Sequence, residues 1–355
     1  MNGGIEMDNS VINHAKKTFL AMQNPYGSVE RVFPLAINAF KDNEYPIYFG
    51  VKNVKQMPVS LLKKLSGKGF VLHTLDQSSR NGRAVDYLLM NPITGNKMTG
   101  SSSGTAVNVF LGINDLGIGA DGGGSVLAPA MSVQLYGFIS PLLEQERMKK
   151  NSHPSTDGIM LYPSIGFMTR DLSLMERTID ASLSIKAGTG KVEVNIPTIP
   201  HIKKKIKDQV GVPQDVCFHE VDMPVFDNER QPMIDYLKKQ IHDCDVFVSY
   251  ESKIDVNALG DSVLGHFDEE MQTYQNKSGK YLIRVANMVK ATSLTVPSTE
   301  LASGFTLFCE STPEKVSKML QIAKYFVTER DDLLERYFRD HDTYFNEGVL
   351  NINNF

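Results

Sequence analysis

The sequence predicts an α/β protein, and three observations carry the prediction. Short apolar runs of strand length alternate with segments of helical spacing along most of the chain. No linker, repeat or low-complexity stretch interrupts that alternation, so the 355 residues read as one domain. The apolar fraction is 41%, enough to build a core, and no run approaches the ~18 apolar residues of a membrane span.

The elements follow in order. Residues 9–22 place apolar side chains at helical spacing behind a capping Asn or Ser. Tyr45 to Val51 reads as a buried strand, with Pro46 near its start, where a missing N–H is tolerated. A short helix over 58–65 and a strand over Gly69 to His73 come next. Beyond the Met98–Ala130 stretch, strands are expected over Ser132–Gly137, Lys191–Ile196, Asp245–Ser249 and Gly304–Phe308. Helices are expected after a capping Asp171, over 228–242, and after the Ser311 to Glu314 capping box, with Met319, Leu320, Ile322, Ala323 and Phe326 inward. The basic run from His201 to Asp208 reads as the solvated face of a helix.

Met98 to Ala130 is the stretch around which the chain is organised. It holds two small-residue turns, Gly100-Ser101-Ser102-Ser103-Gly104 and Gly122-Gly123-Gly124-Ser125. Between them lie the apolar Ala106, Val107, Val109, Phe110 and Leu111, then Leu116, Ile118 and Ala120. A loop, a buried helix, a short strand and a second loop bring both serine-bearing turns together. A flexible Ser/Gly linker would not carry that apolar run. Glycines running into a serine can aim several N–H donors at one point, which suits an oxyanion with Ser125 as nucleophile beside it.

Other chemistries are weak. Lys plus Arg number 37 against 41 Asp plus Glu, so no field favours nucleic acid or an anionic membrane. Cys217, Cys244 and Cys309 are widely spaced and read as reduced core thiols in the cytoplasm; the first residues show no secretion signal. The eight His form no ligand pattern, and His219 reads as a surface or strand-end residue. Gly117 to Gly122 fits GxGxxG, but the further glycines and Pro129 oppose the helix that a dinucleotide loop needs. Gly95 to Ser102 lacks the phosphate-binding Lys of a P-loop, having Ser101 there.

In this stretch the chain resembles the amidase signature family. Gly100-Ser101-Ser102, Gly104, Ala106, Asp121, Gly123-Gly124-Ser125, Pro129 and Ala130 match its serine segment without a gap. The two family serines stand 24 apart, and here 125 − 101 = 24. Lys52, after the 45–51 strand, matches the family lysine, with Asn53 where Asp is usual. Asn91-Pro92, residues 157–186, 245–249 and Ala286 to Pro297 extend the likeness over roughly 45–330. Residues 1–44 form an N-terminal helical region and 331–355 a helix end and tail.

The resemblance implies a mixed twisted sheet flanked by helices on both sides, no cofactor and no metal. It implies a Ser–Ser–Lys triad of Ser125 as nucleophile, Ser101 as bridge and Lys52 as base. It also implies an oxyanion hole of the Gly122, Gly123, Gly124 and Ser125 N–H groups, with Gly100 and Asp121 as structural support. The family's cis peptide bond falls ahead of Ser101 or Ser102. Lys52 must then be buried and partly neutral. The chain departs from the pattern in a spacing of only 101 − 52 = 49 between lysine and first serine, with the missing part in 74–90. It departs further in Leu127 for Arg, Ser103 for Gly and Gly122 for Thr or Ile. The expected activity is hydrolysis of a small amide. A transferase using the same acyl-enzyme and an inactive binding protein are the alternatives, and a homodimer stays open.

Overall fold

The structure, a computed structural model, describes residues 3–41, 45–155, 158–210, 213–226, 229–329 and 331–342. The sequence-expected tail beyond 342 lies outside them. Eleven strands form the main sheet. They are β1 (Val29–Val32), β2 (Ile47–Lys52), β3 (Phe70–Asp76), β4 (Leu116–Asp121), β5 (Tyr136–Ser140), β6 (Ser164–Thr169), β7 (Val192–Pro197), β8 (Val216–Val221), β9 (Val246–Glu251), β10 (Ala291–Pro297) and β11 (Gly304–Glu310). Their spatial order is β1-β3-β2-β4-β6-β5-β10-β11-β9-β7-β8. Pairing is parallel for β3-β2-β4 and for β9-β7-β8, and antiparallel through the centre. The central strands are buried on both faces, which explains their near-continuous apolar runs.

Helices cover both faces. One layer holds α1 (Gly3–Gln23), α3 (Ser103–Phe110), α4 (Leu127–Ser132) and α7 (Arg230–Asp243). The other holds α2 (Val59–Ser66), α5 (Leu172–Leu183), α6 (Pro200–Val210) and α8 (Pro313–Ala323). Side chains alternate across β2: Phe49 and Val51 join the α2 layer. Gly50 and Lys52 therefore face the α3 layer. Asp171 caps α5 by accepting the Leu174 N–H at 2.8 Å. No helix among the described residues is long and apolar enough to cross a membrane.

Two expected elements are corrected. The strand placed at 132–137 begins at Tyr136, because Leu127 to Ser132 continue as α4 and Gln134 turns the chain at φ 58°. The last long helix is capped by Thr312, whose hydroxyl accepts from the Lys315 N–H at 3.2 Å. Ser311 instead donates to the Lys290 carbonyl at 2.7 Å. Among the cysteines, Cys244 and Cys309 are buried, whereas Cys217 is only half-buried on β8.

Candidate active site

The two serine turns meet at the C-terminal ends of β2 and β4, the place where parallel strands open a crevice. Lys52 ends β2 with its side chain only 4% exposed. Its Nζ donates to Ser101 Oγ at 2.6 Å and to the Ala120 carbonyl at 3.2 Å. Burial pulls the ammonium down from 10.5 to about 8, opposed by the negative charge of Asp121. At pH 8 the amine is thus about half neutral.

Ser101 is held on both sides. The Gly100–Ser101 peptide bond is cis. The Gly100 N–H donates to the Ala84 carbonyl at 2.8 Å, and the Ser101 carbonyl accepts the Ser79 N–H at 3.1 Å. A methyl built on Gly100 would meet the Arg83 carbonyl oxygen at 2.4 Å, so the turn has no room for a side chain there. The second turn is joined to the first where the Ser102 N–H donates to the Ser125 carbonyl at 3.1 Å. Ser125 is half-buried, and among the described residues its hydroxyl makes no hydrogen bond. The Ser102 hydroxyl is fully buried and also lacks a partner.

Asp121 ends β4 beneath the glycine turn. Its carboxylate accepts the N–H groups of Gly124 at 2.7 Å, Val126 at 2.5 Å and Leu127 at 3.2 Å. Asn287 adds a fourth bond at 2.6 Å and is itself held by Ser164 at 2.7 Å. Burial still pushes this carboxyl above its usual range, against the pull of those N–H groups. The expected oxyanion donors are therefore corrected at one position. Gly124, at φ +94°, turns its N–H inward to Asp121. The N–H groups of Gly122, Gly123 and Ser125 donate to nothing among the described residues.

A cleft of about 60 Å³ borders this turn, lined by Gly100, Gly123 and Gly124 together with Arg230, Lys280 and Arg284. A hollow of about 760 Å³ lies along α7 and touches none of these residues, so size does not mark the site.

Several functional-looking residues escape sequence reading. Lys280 forms a buried ion pair with Asp255 at 2.7 Å, and Asp255 also accepts from Thr99 at 2.7 Å, tying the 255–280 segment to the strand before Gly100. Behind Lys52, Asp76 accepts from Thr74 at 2.5 Å and Asn108 at 2.7 Å, and burial raises its carboxyl to about 6. Single polar letters inside apolar strands give no sign of such pairing. Asn287 had one, its place in the Ala286–Pro297 likeness. His219 meets Glu193 at 2.6 Å on the surface. Among the described residues no group of three or more His, Cys, Asp or Glu could hold a metal ion. The GxGxxG stretch is β4 itself: methyls on Gly117 and Gly119 would meet Thr105 at 2.6 Å and Ser102 at 2.7 Å, so these glycines let α3 lie close.

Comparison with known proteins agrees with this fold. An amidase family profile matches residues 89–207. No curated protein is a significant sequence match. Among solved structures, a glutamyl-tRNA(Gln) amidotransferase subunit of Thermotoga maritima superposes with a TM-score of 0.61 at 14% identity, covering 90% of this chain and 93% of that one. Allophanate hydrolase of Kluyveromyces lactis gives 0.61 at 15%, covering 92% and 70%. A bacterial aryl acylamidase of the amidase signature family gives 0.60 at 14%, covering 89% and 92%. At such identities the superpositions speak for the fold. The profile match covers part of the chain, and the fold is that of amidase signature structures.

Proposed function

We propose that this protein is an amidase that cleaves a small amide through an acyl-enzyme on Ser125. The observation that carries the reading is the 2.6 Å contact of Ser101 with a buried Lys52 whose amine is pulled down to about 8. The likeness to proteins named as part of an amidotransferase, an allophanate hydrolase and an aryl acylamidase supports amide chemistry.

A serine hydroxyl is a poor nucleophile until a base takes its proton. Neutral Lys52 takes the Ser101 proton as Ser101 takes that of Ser125, and Ser125 Oγ bonds to the amide carbon. The resulting oxyanion lies among the unengaged N–H groups of Gly122, Gly123 and Ser125, each such donor being worth about 3 kcal/mol in the transition state. When the C–N bond breaks, the proton on Lys52 returns through Ser101 to the leaving nitrogen. Water then releases the acyl group by the same relay. In this reading the Ser125 hydroxyl swings to Ser101 when substrate binds, since catalytic hydrogen bonds often tighten only in the complex.

The test is incubation with a fluorophosphonate, followed by intact mass and peptide mapping. One adduct is expected on Ser125, lost in Ser125→Ala and strongly slowed in Lys52→Ala. A folded wild-type protein that stays unlabelled, or that labels elsewhere, removes the proposal.

A further inference from the structure

Glu251, the last residue of β9, is a buried carboxylate that the mechanism does not use. It accepts the Tyr281 N–H at 2.5 Å and the Ile283 N–H at 3.2 Å. The turn it holds, 281–284, is the surface on which the glycine turn rests. A methyl built on Gly124 would meet the Ile283 carbonyl oxygen at 3.3 Å, and one on Gly123 would meet that of Arg284 at 3.5 Å. Asp121 grips the same glycine turn from the β4 side through Gly124, Val126 and Leu127. Three residues past Arg284 in the chain, Asn287 closes the frame on Asp121 at 2.6 Å.

We infer that Glu251 is a positioning residue, bracing the 281–284 turn against Gly123 and Gly124 so that the unengaged N–H groups beside Ser125 keep their aim. The inference rests on the reading of Ser125 as nucleophile. The two N–H groups reach different oxygens of Glu251, and both oxygens are full acceptors only while the carboxyl is ionised. Protonated, one oxygen becomes a donor, and one backbone N–H is left facing it.

The brace is therefore sensitive to pH. Burial raises the Glu251 carboxyl to about 7, opposed by the Ile283 and Tyr281 N–H groups and by the Arg284 charge. The groups facing it are Arg284 and the Tyr281 phenol, itself pushed up to about 12 by burial and by Glu251. Lys280, next in the chain, is committed to Asp255 at 2.7 Å. Above about pH 7 the brace is intact; below it the turn loosens while Lys52 is also becoming charged. Two deprotonations then govern the rate of Ser125 modification.

The experiment is the pH dependence of fluorophosphonate labelling in wild type and Glu251→Gln, with hydrogen exchange of peptides covering 278–290 in the wild-type protein. Between pH 6 and 7 the wild-type rate is expected to rise with a slope of about 1.5 in log rate per pH unit, and that of Glu251→Gln with a slope of about one. At pH 8 the variant is expected to label about tenfold more slowly, the loss of one backbone bond. Wild-type peptides are expected to lose protection at pH 6 relative to pH 8, after correction for intrinsic exchange. A folded Glu251→Gln with the wild-type rate and slope overturns the inference. So does equal protection at both pH values, which decides the matter if the variant does not fold. Absence of any Ser125 labelling in wild type removes the amidase reading, and exchange still judges the brace.

Discussion

Asn287 and the glycine turn meet on one oxygen of Asp121: the Asn287 amide donates to Asp121 Oδ1 at 2.6 Å, and the Gly124 N–H donates to that same atom at 2.7 Å. The carboxylate is wholly buried, and its charge is offset by N–H dipoles and by Lys52. Removing the amide leaves a charge with one fewer donor. Asn287→Ala is expected to cost about 1–3 kcal/mol in urea unfolding and to slow Ser125 labelling at an unchanged pH slope. A variant as stable as wild type would show that the Asn287 bond does not hold the turn.

Lys52 makes opposite demands on stability and activity. Its folded value of about 8 lies below the 10.5 of the unfolded chain, so the charged amine is disfavoured in the fold. The penalty is fully present below pH 8 and fades as pH rises toward 10.5. At about 1.4 kcal/mol per unit it is about 3.5 kcal/mol. Lys52→Met is expected to be labelled far more slowly at Ser125 yet to be more stable than wild type at pH 7, by an amount that shrinks between pH 8 and 10.5. Denaturant midpoints across that range measure it. A Met variant less stable than wild type at every pH would place Lys52 among structural residues.

The serine segment was legible because its constraints are local. Glycines that must admit another backbone, an apolar helix and a strand follow one another within residues 98–130, and each leaves its mark on the letters. Its supports were not. Asn287 meets Asp121 across 166 positions in the chain, and Glu251 meets Tyr281 across 30. Whether a carboxylate is buried and which N–H groups reach it are decided only when distant strands close. The Gly124 donor was misread for a related reason. A run of glycines advertises freedom, and only the buried Asp121 decides which N–H turns inward.

Asp76 offers a second linkage test, away from the serines. Its folded value of about 6 stands above the unfolded 3.8, because burial outweighs the bonds from Thr74 and Asn108. The ionised form is disfavoured in the fold, so stability falls as pH rises from about 4 to about 6 and stays reduced above. Its Oδ2 has no partner among the described residues, and an amide can still accept both existing bonds through its oxygen. Asp76→Asn is expected to gain about 2–3 kcal/mol at pH 7 and almost nothing at pH 4. Thermal unfolding at the two pH values checks it. Equal effects at both would mean that the carboxylate charge is not what the substitution relieves.

Gly119 connects the fold to the chemistry most directly. It lies in β4 under α3, and a methyl there would meet Ser102 Oγ at 2.7 Å and Val126 Cγ2 at 2.9 Å. Ser102 follows Ser101, and Val126 follows the proposed nucleophile Ser125, so one methyl pushes both turns away from the sheet. Neither neighbour is a long, flexible side chain that can simply move aside. Gly119→Ala is expected to lose about 1–3 kcal/mol of stability, the usual cost of overpacking. It is also expected to slow Ser125 labelling at least tenfold at about 20 °C below its melting point, because displacement of reacting groups by an ångström costs far more in rate than in folding. Gly117→Ala, which would meet Thr105 Cγ2 at 2.6 Å on the same helix but neither serine turn, serves as the control. It should lose comparable stability and keep most of its labelling rate. If both alanines slow labelling equally, the separation of α3 from the sheet is responsible, and the two serine turns are not individually registered by Gly119.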